Sequence, residues 1–213
     1  SADPEGIAKI MAPDVDIVEV LTKLSNTYSE EAQQDCAKCF CNLSKLSEHS
    51  AQLVKLNAVH AIMMIAMVRA VDTTTKAFCA KAILNLMEEE SNRSLILEQG
   101  ALQMFGTFGI MDNEAMMSIC AKVFCVVSGS KLGRRFIMMR VSSMKGFFSL
   151  IRSKVRETQL NCARAVLNLL RYDDSMKFSV DHGALTVVRV LTTLEDYSSD
   201  VQTLAANGAS NNE

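Results

Sequence analysis

The chain is predicted to fold as an all-helical repeat array, and three observations carry that prediction. A short phrase built on cysteine returns four times, as Asp35-Cys36-Ala37-Lys38, Phe78-Cys79-Ala80-Lys81, Ile119-Cys120-Ala121-Lys122 and Asn161-Cys162-Ala163-Arg164, with the cysteines 43, 41 and 42 residues apart. A second phrase, at Asn57-Ala58, Gly100-Ala101, Ser142-Ser143 and Gly183-Ala184, keeps the same period and follows each cysteine by 21 or 22 residues. Two prolines, nine glycines, no tryptophan and no alternating Val/Thr-rich runs leave little support for strands. A period near 42 marks units that bury their apolar faces only by stacking on one another.

The third helix of each unit is read from apolar spacing. Cys79, Ala82, Ile83, Leu86 and Met87 fall at i, i+3, i+4, i+7 and i+8, one face of a helix, and Cys162, Ala165, Val166, Leu169 and Leu170 repeat it. Helix-start residues stand at Asp72-Thr73-Thr74, Asp112-Asn113 and Asp196-Tyr197-Ser198-Ser199. Gly or Asn in the second phrase suits a left-handed helix end, with Ser142 the weak member. One unit therefore reads as a short helix from Asn92 to Gln99, a second from Ala101 to Ile110 and a long third from Glu114 to Val127. Four full three-helix repeats and a partial fifth are expected, at about 7–46, 47–87, 88–128, 129–171 and 172–206, between a tail at 1–6 and a polar tail at 207–213. The fifth offers only Leu204-Ala205-Ala206 where the cysteine phrase is due, so the array is expected to be part of a longer one.

Bulk composition narrows the class of function. Hydrophobic residues are 49% of the chain, yet no run approaches the ~18 consecutive apolar residues of a membrane span, so membrane insertion is not expected. The first residues lack a basic region followed by an apolar stretch, and no secretory signal is expected. Seven cysteines, an odd number and mostly on the apolar stripe, argue for a reducing compartment, the cytoplasm or the nucleus. A net charge of −2 and 6% aromatic residues argue against nucleic acid as the partner.

With about 42 residues and three helices per unit, the chain resembles the armadillo repeat family, a right-handed α-α superhelix of stacked units. The resemblance rests on Ser91-Asn92-Arg93-Ser94-Leu95-Ile96-Leu97-Glu98-Gln99-Gly100-Ala101-Leu102 for the first helix and turn, and on Cys162-Ala163-Arg164-Ala165-Val166-Leu167-Asn168-Leu169-Leu170 for the third. HEAT arrays, with two helices per unit and a similar period, are the structural rival. What the resemblance implies is a concave groove lined by the third helices, in which an asparagine grips the backbone of an extended peptide. The matching positions, six residues after each cysteine, are Asn42, Asn85, Val126 and Asn168, so one rung is missing. A side-chain amide can bridge a backbone N–H and C=O whatever the ligand's sequence. The alternative is that these amides bond only to neighbouring helices or water.

In the importin-alpha branch the position four residues before that asparagine is typically tryptophan. Here it holds Lys38, Lys81, Lys122 and Arg164, so an ordinary nuclear-signal receptor is not expected. At helix spacings of roughly 10 Å and ~3.3 Å per extended residue, about three ligand residues separate successive cations. An acidic or phosphorylated peptide fits that row, although Glu31 and Glu157 are expected to face the groove near its rim and could neutralise part of it. Four cations in register are also what repeat duplication alone leaves on a solvated face.

A second charged feature lies between Ala115 and Arg156, which contain no acid. Besides Lys122 the stretch carries Lys131, Arg134, Arg135, Arg140, Lys145, Arg152, Lys154 and Arg156, expected on a convex or edge surface. Segregated charge steers anionic partners even when the net charge is near zero.

Residues that look chemical are given a structural role. Cys36, Cys39 and Cys41 form C-x2-C-x-C, but zinc needs about four convergent ligands; Cys36 and Cys39 are placed on the buried stripe, with Cys41 and Cys125 partly exposed. His49, His60 and His182 have no Cys or Ser at a triad spacing. No catalysis, cofactor or metal is expected. The function expected is a non-enzymatic protein-interaction scaffold whose groove holds an extended acidic or phosphorylated segment; the alternative is an assembly module docking through residues 131–156 on an acidic protein or membrane.

Overall fold

The computed structural model describes residue 6 and residues 9–11, 16–70 and 72–193. Among them are thirteen α-helices and no strand. The chain packs as two compact units, Ser1–Ala101 and Leu102–Glu213. The first holds α1 (Ile17–Ser25), α2 (Glu30–Leu43), α3 (Ser47–Lys55), α4 (Ala58–Met64, extended by a π-helical turn at Ile65–Arg69), α5 (Thr73–Glu88) and α6 (Glu90–Glu98). Ala101 closes that unit and opens α7 (Ala101–Phe108), after which the second unit holds α8 (Glu114–Ser128), α9 (Lys131–Met139), α10 (Val141–Ser149, extended by a 3-10 turn at Leu150–Arg152), α11 (Arg156–Arg171), α12 (Asp173–Asp181) and α13 (Ala184–Thr193). The helix-start residues Asp196 to Ser199, the Leu204 phrase and both tails lie outside the described residues.

Each cysteine phrase falls in a long helix, and these helices pack on one another in pairs: α2 on α5 in the first unit, α8 on α11 in the second. In α5 all of Cys79, Ala82, Ile83, Leu86 and Met87 are fully buried; in α11 Cys162, Ala165, Val166 and Leu169 are, while Leu170 is half-buried. Burying one such Ile or Leu side chain is worth about 1.5–3 kcal/mol. In the second unit the seam is closed by Phe147 of α10, whose ring lies 4.8 Å from that of Phe124 and whose carbonyl accepts from the Cys162 thiol at 3.7 Å.

Helix ends follow the local chemistry. Asp72 and Asn113 are the N-caps of α5 and α8, accepting from the backbone N–H of Thr75 at 2.7 Å and of Met116 at 2.9 Å. Burial acts to raise the Asp72 carboxyl pKa, but hydrogen bonds from Thr75, Thr74 and its own backbone outweigh it and hold the group below the usual range. Asn57, Gly100 and Gly183 all have left-handed backbones, with φ of 62°, 91° and 103°. Ser142 departs from this pattern: it lies inside α10, and the junction has moved to Arg140 at φ −124°, ψ 73°. The bend of 78° at the Asn57 turn separates α3 from α4, and no single helix among the described residues is long and apolar enough to cross a membrane.

The same side-chain bonds recur at equivalent places. Gln33 and Gln159 each donate to a carbonyl six residues back, Thr27 at 2.9 Å and Ser153 at 2.7 Å, and Asn92 and Ser175 do likewise to Leu86 at 3.2 Å and Leu169 at 2.7 Å. Where the second unit has glycine instead, at Gly133, the backbones close up so far that a Cβ would come within 1.9 Å of the Val127 carbonyl oxygen. Gly146 of α10 is equally tight, since a Cβ there would meet the Gly106 carbonyl of α7 at 1.8 Å. Ser149 donates to Gly109 along the same seam. Gly146→Ala is therefore expected to cost about 2 kcal/mol in urea unfolding. Gly129→Ala, whose Cβ would find nothing nearer than 3.4 Å, should stay within about 0.5 kcal/mol of wild type.

Candidate functional site

The long helices present their polar residues in two sets, one per unit. In the first unit Lys38 of α2 is half-buried and ion-paired with Asp35 at 3.1 Å, one turn before it. Asn42 is exposed, and its carbonyl oxygen accepts from Lys45 Nζ at 2.9 Å. Lys81 of α5 is exposed and makes no hydrogen bond or ion pair among the described residues. Asn85, one turn further on, is half-buried and donates through Nδ2 to Ser44 Oγ at 3.0 Å and to the Cys41 carbonyl at 3.4 Å. That amide ties α5 to the end of α2.

The second unit has the same frame with other contents. Lys122 of α8 is exposed, and Val126, half-buried, replaces the amide. Arg164 of α11 is half-buried, paired with Glu157 at 3.6 Å and donating to Asn161 Oδ1 at 3.4 Å. Asn168 donates to Ser128 Oγ at 3.1 Å, repeating the Asn85–Ser44 bond. Glu157 thus neutralises its neighbour as the sequence led us to expect, whereas Lys38 takes Asp35 and not Glu31.

Three residues of these faces escaped the sequence reading. Ser44 and Ser128 each stand eight residues after their cysteine, a coincidence that could have found them; Lys45 carried no signal beyond lying three residues, one helical turn, past Asn42.

The basic stretch divides on inspection. Arg134 is not a surface residue: it is 4% exposed, pairs with Asp174 at 3.3 Å, lies 3.8 Å over the Tyr172 ring and donates to the Ser128 carbonyl at 3.4 Å. The tight approach at Gly133 draws α9 onto the end of α8 and takes Arg134 in with it. Lys131, Arg135 and Lys145 are exposed and make no ion pair among the described residues. Arg140 and Arg152 are exposed but held by neutral acceptors, Gln103 at 3.0 Å and the carbonyls of Ser149 at 3.1 Å and Ile110 at 3.5 Å. Lys154 and Arg156 are exposed at the entry to α11, where Glu114 accepts from the Lys154 N–H at 2.9 Å and from the Ser153 hydroxyl. The Lys154 bond, then the Ser153 bond, hold the Glu114 carboxyl below its usual pKa.

Two thiols are placed differently from expectation. Cys39 is exposed and Cys41 buried, because α2 packs on both α1 and α5 and its buried stripe widens toward Ala37 and Cys41. All seven thiols are free, and burial raises the pKa of every one, that of Cys162 to about 12. No group of three or more His, Cys, Asp or Glu among the described residues could hold a metal. His49 faces Glu48, His182 stacks on Phe178, and His60 lines an open hollow of about 310 Å³ with Asp16, Glu19 and Lys23.

The fold is an armadillo-like repeat fold. An engineered protein of known crystal structure superposes with a TM-score of 0.77 at 19% identity, covering 99% of this chain and 86% of its own. A designed armadillo repeat protein in complex with the peptide (KR)4 does so at 0.79 and 16%, covering 97% and 87%. A computationally designed armadillo repeat protein for modular peptide recognition reaches 0.74 at 16%, covering 96% and 90%. As a sequence the chain matches no family model and no curated protein.

Two outcomes are expected from these placements. Arg134→Ala should lose about 2 kcal/mol of stability because it empties a buried place and takes a donor from the buried Ser128 carbonyl, while Arg135→Ala, one residue on and exposed, should stay within about 0.5 kcal/mol. In native protein, iodoacetamide should modify Cys39 first and reach Cys79, Cys120 and Cys162 only on unfolding, as peptide mass spectrometry would read out.

Proposed function

We propose that the chain is a non-enzymatic protein-binding scaffold that takes an extended acidic or phosphorylated peptide on the polar faces of its long helices. The observation that carries this is the recurrence, in both units, of a cation one turn before an amide: Lys38 and Lys81 with Asn42 and Asn85 in the first, Arg164 with Asn168 in the second, where Lys122 precedes Val126. The amides would hold ligand backbone through the groups that Ser44, the Cys41 carbonyl and Ser128 leave unused, for Asn85 its carbonyl oxygen, and the cations would select acidic side chains.

Designed armadillo proteins with the same fold support a peptide as the ligand, one being in complex with (KR)4 and another made for modular peptide recognition. The sign of the charge is the opposite here, since the long helices present Lys and Arg. Thiols whose pKa is raised by burial speak for a binder over a cysteine-based enzyme, and free cysteines suit the cytoplasm or nucleus.

A docking surface on α9 and α10 is the second reading, favoured by the exposed Lys131, Arg135 and Lys145 in a stretch without acids. The two separate cleanly. Joint Lys81→Glu and Arg164→Glu reversal should abolish binding of acidic peptides with the circular dichroism spectrum unchanged. Binding that survives it, but is lost in Lys131→Glu/Arg135→Glu, would overturn the first reading in favour of the second.

A further inference from the structure

We propose that the apolar hollow between α10 and α13 is a second docking site, which takes a short acidic segment of a partner protein by its bulky apolar side chains. The site lies apart from the polar faces of the long helices and shares only Lys145 with the docking surface on α9 and α10. It requires neither.

The hollow, of about 280 Å³, is lined by Phe148 and Ile151 from α10 and its 3-10 turn, and by Gly183, Thr186, Val187 and Val190 from the start and flank of α13. Local structure fixes its walls. Gly183 has a left-handed backbone and no side chain, and a Cβ there would sit 3.8 Å from the Phe148 ring, so that ring lies against the turn into α13. Val187 is buried and Val190 is 38% exposed, so the opposite wall runs from the core out to solvent.

Two other seams of this kind differ. Between α7 and α10 the backbones of Gly106, Gly109 and Gly146 close up so far that no side chain fits between them. In the first unit a hollow of similar size lies between α1 and the start of α4, but its wall carries Asp16, Glu19, Lys23 and His60, and Lys23 is paired with Glu19 at 2.6 Å.

The charge around the α10–α13 hollow is of one sign. Neither residues 141–152 nor residues 184–193 contain an acid, while Lys145, Arg152 and Arg189 are exposed. Lys145, Phe148 and Arg152 are spaced i, i+3 and i+7, so the ring and two cations share one face of α10 and its extension. The Arg152 guanidinium is bonded to carbonyls, which orient it without cancelling its charge. Two acids come near along the chain or through a bond: Asp181, exposed two residues before Gly183, and Glu114, already taken by Ser153 and the Lys154 N–H.

Size and charge together define the ligand. The volume is at the lower edge of the ~300–1,000 Å³ of small-molecule sites and suits one or two inserted side chains. Burial of a Leu, Ile or Phe supplies affinity, and acids beside it set the orientation against Lys145 and Arg152.

Fluorescence anisotropy isolates this site in the Lys81→Glu/Arg164→Glu protein, where the long-helix cations are reversed. The probes are three labelled peptides of about twelve residues: alternating Ser and Glu, the same peptide with two central Leu residues one turn apart, and that Leu peptide with Lys for every Glu. The Leu-Glu peptide should bind, and the other two should be at least about tenfold weaker. Adding Val190→Asp, or the fully surface change Lys145→Glu, should weaken the Leu-Glu peptide about tenfold with the circular dichroism spectrum unchanged, whereas adding Lys131→Glu/Arg135→Glu should change it less than about twofold. A Leu-Glu peptide that does not bind, that binds no better than the Ser-Glu one, or that is unmoved by both Val190→Asp and Lys145→Glu would overturn the site. A wild-type dimer that Val190→Asp dissociates in sedimentation equilibrium would also overturn it, by giving the hollow to a second copy of the chain.

Discussion

Everything in this chain depends on how closely one long helix lies against the next. The seam positions hold Cys and Ala where the helices first meet, Cys36-Ala37 against Cys79-Ala80 in one unit and Cys120-Ala121 against Cys162-Ala163 in the other, and all eight are buried. Small side chains permit that approach, and the larger Phe40, Ile83, Phe124 and Val166 then fill the seam further along. Once the approach is set, the amides of Asn85 and Asn168 come within reach of Ser44 and Ser128, and the helix ends are pinned. The polar faces inherit their register from this seam. A cation two residues past each cysteine falls off the buried stripe because a helix turns about 200° in two residues.

One sequence position consequently meets different electrostatic surroundings. Lys38, Lys81 and Arg164 are equivalent by phrase, yet Lys38 is held by an acid one turn away, Arg164 by an acid two turns away, and Lys81 makes no ion pair among the described residues. A repeat array built by duplication would be expected to treat its units alike. Here the same frame carries a neutralised cation in two places and, at Lys81, one without an ion pair among the described residues, so the surroundings of a repeated position vary without any change of fold. Arg134 shows the opposite fate, a cation absorbed into the interior by Asp174 and Tyr172.

Much of the fold was legible because it is written in local chemistry. Apolar spacing placed α8 within a residue of its observed end, and the left-handed turns fell at Asn57, Gly100 and Gly183 as their residue types require. The third helix end moved from Ser142 to Arg140 because neither residue compels a left-handed turn, so packing decided. Cys39 and Cys41 exchanged places because a stripe drawn for one neighbour ignores that α2 has two. Arg134 and the serine partners of the asparagines depend on residues about 40 positions away, and charge or polarity alone does not announce such pairs. The cation and amide positions could be named from the sequence; which cation lacks an acid could not, since that depends on side-chain geometry.

The most direct test of the account is the behaviour of the asparagine side-chain amides in a proton–nitrogen correlation spectrum as an acidic peptide is added. The account predicts that the Asn42 and Asn85 NH2 signals shift with a common binding curve, while Asn92, buried and bonded to Ser50 and Leu86, stays still. Shifts confined to backbone amides of 131–149, with Asn42 and Asn85 unmoved, would contradict it.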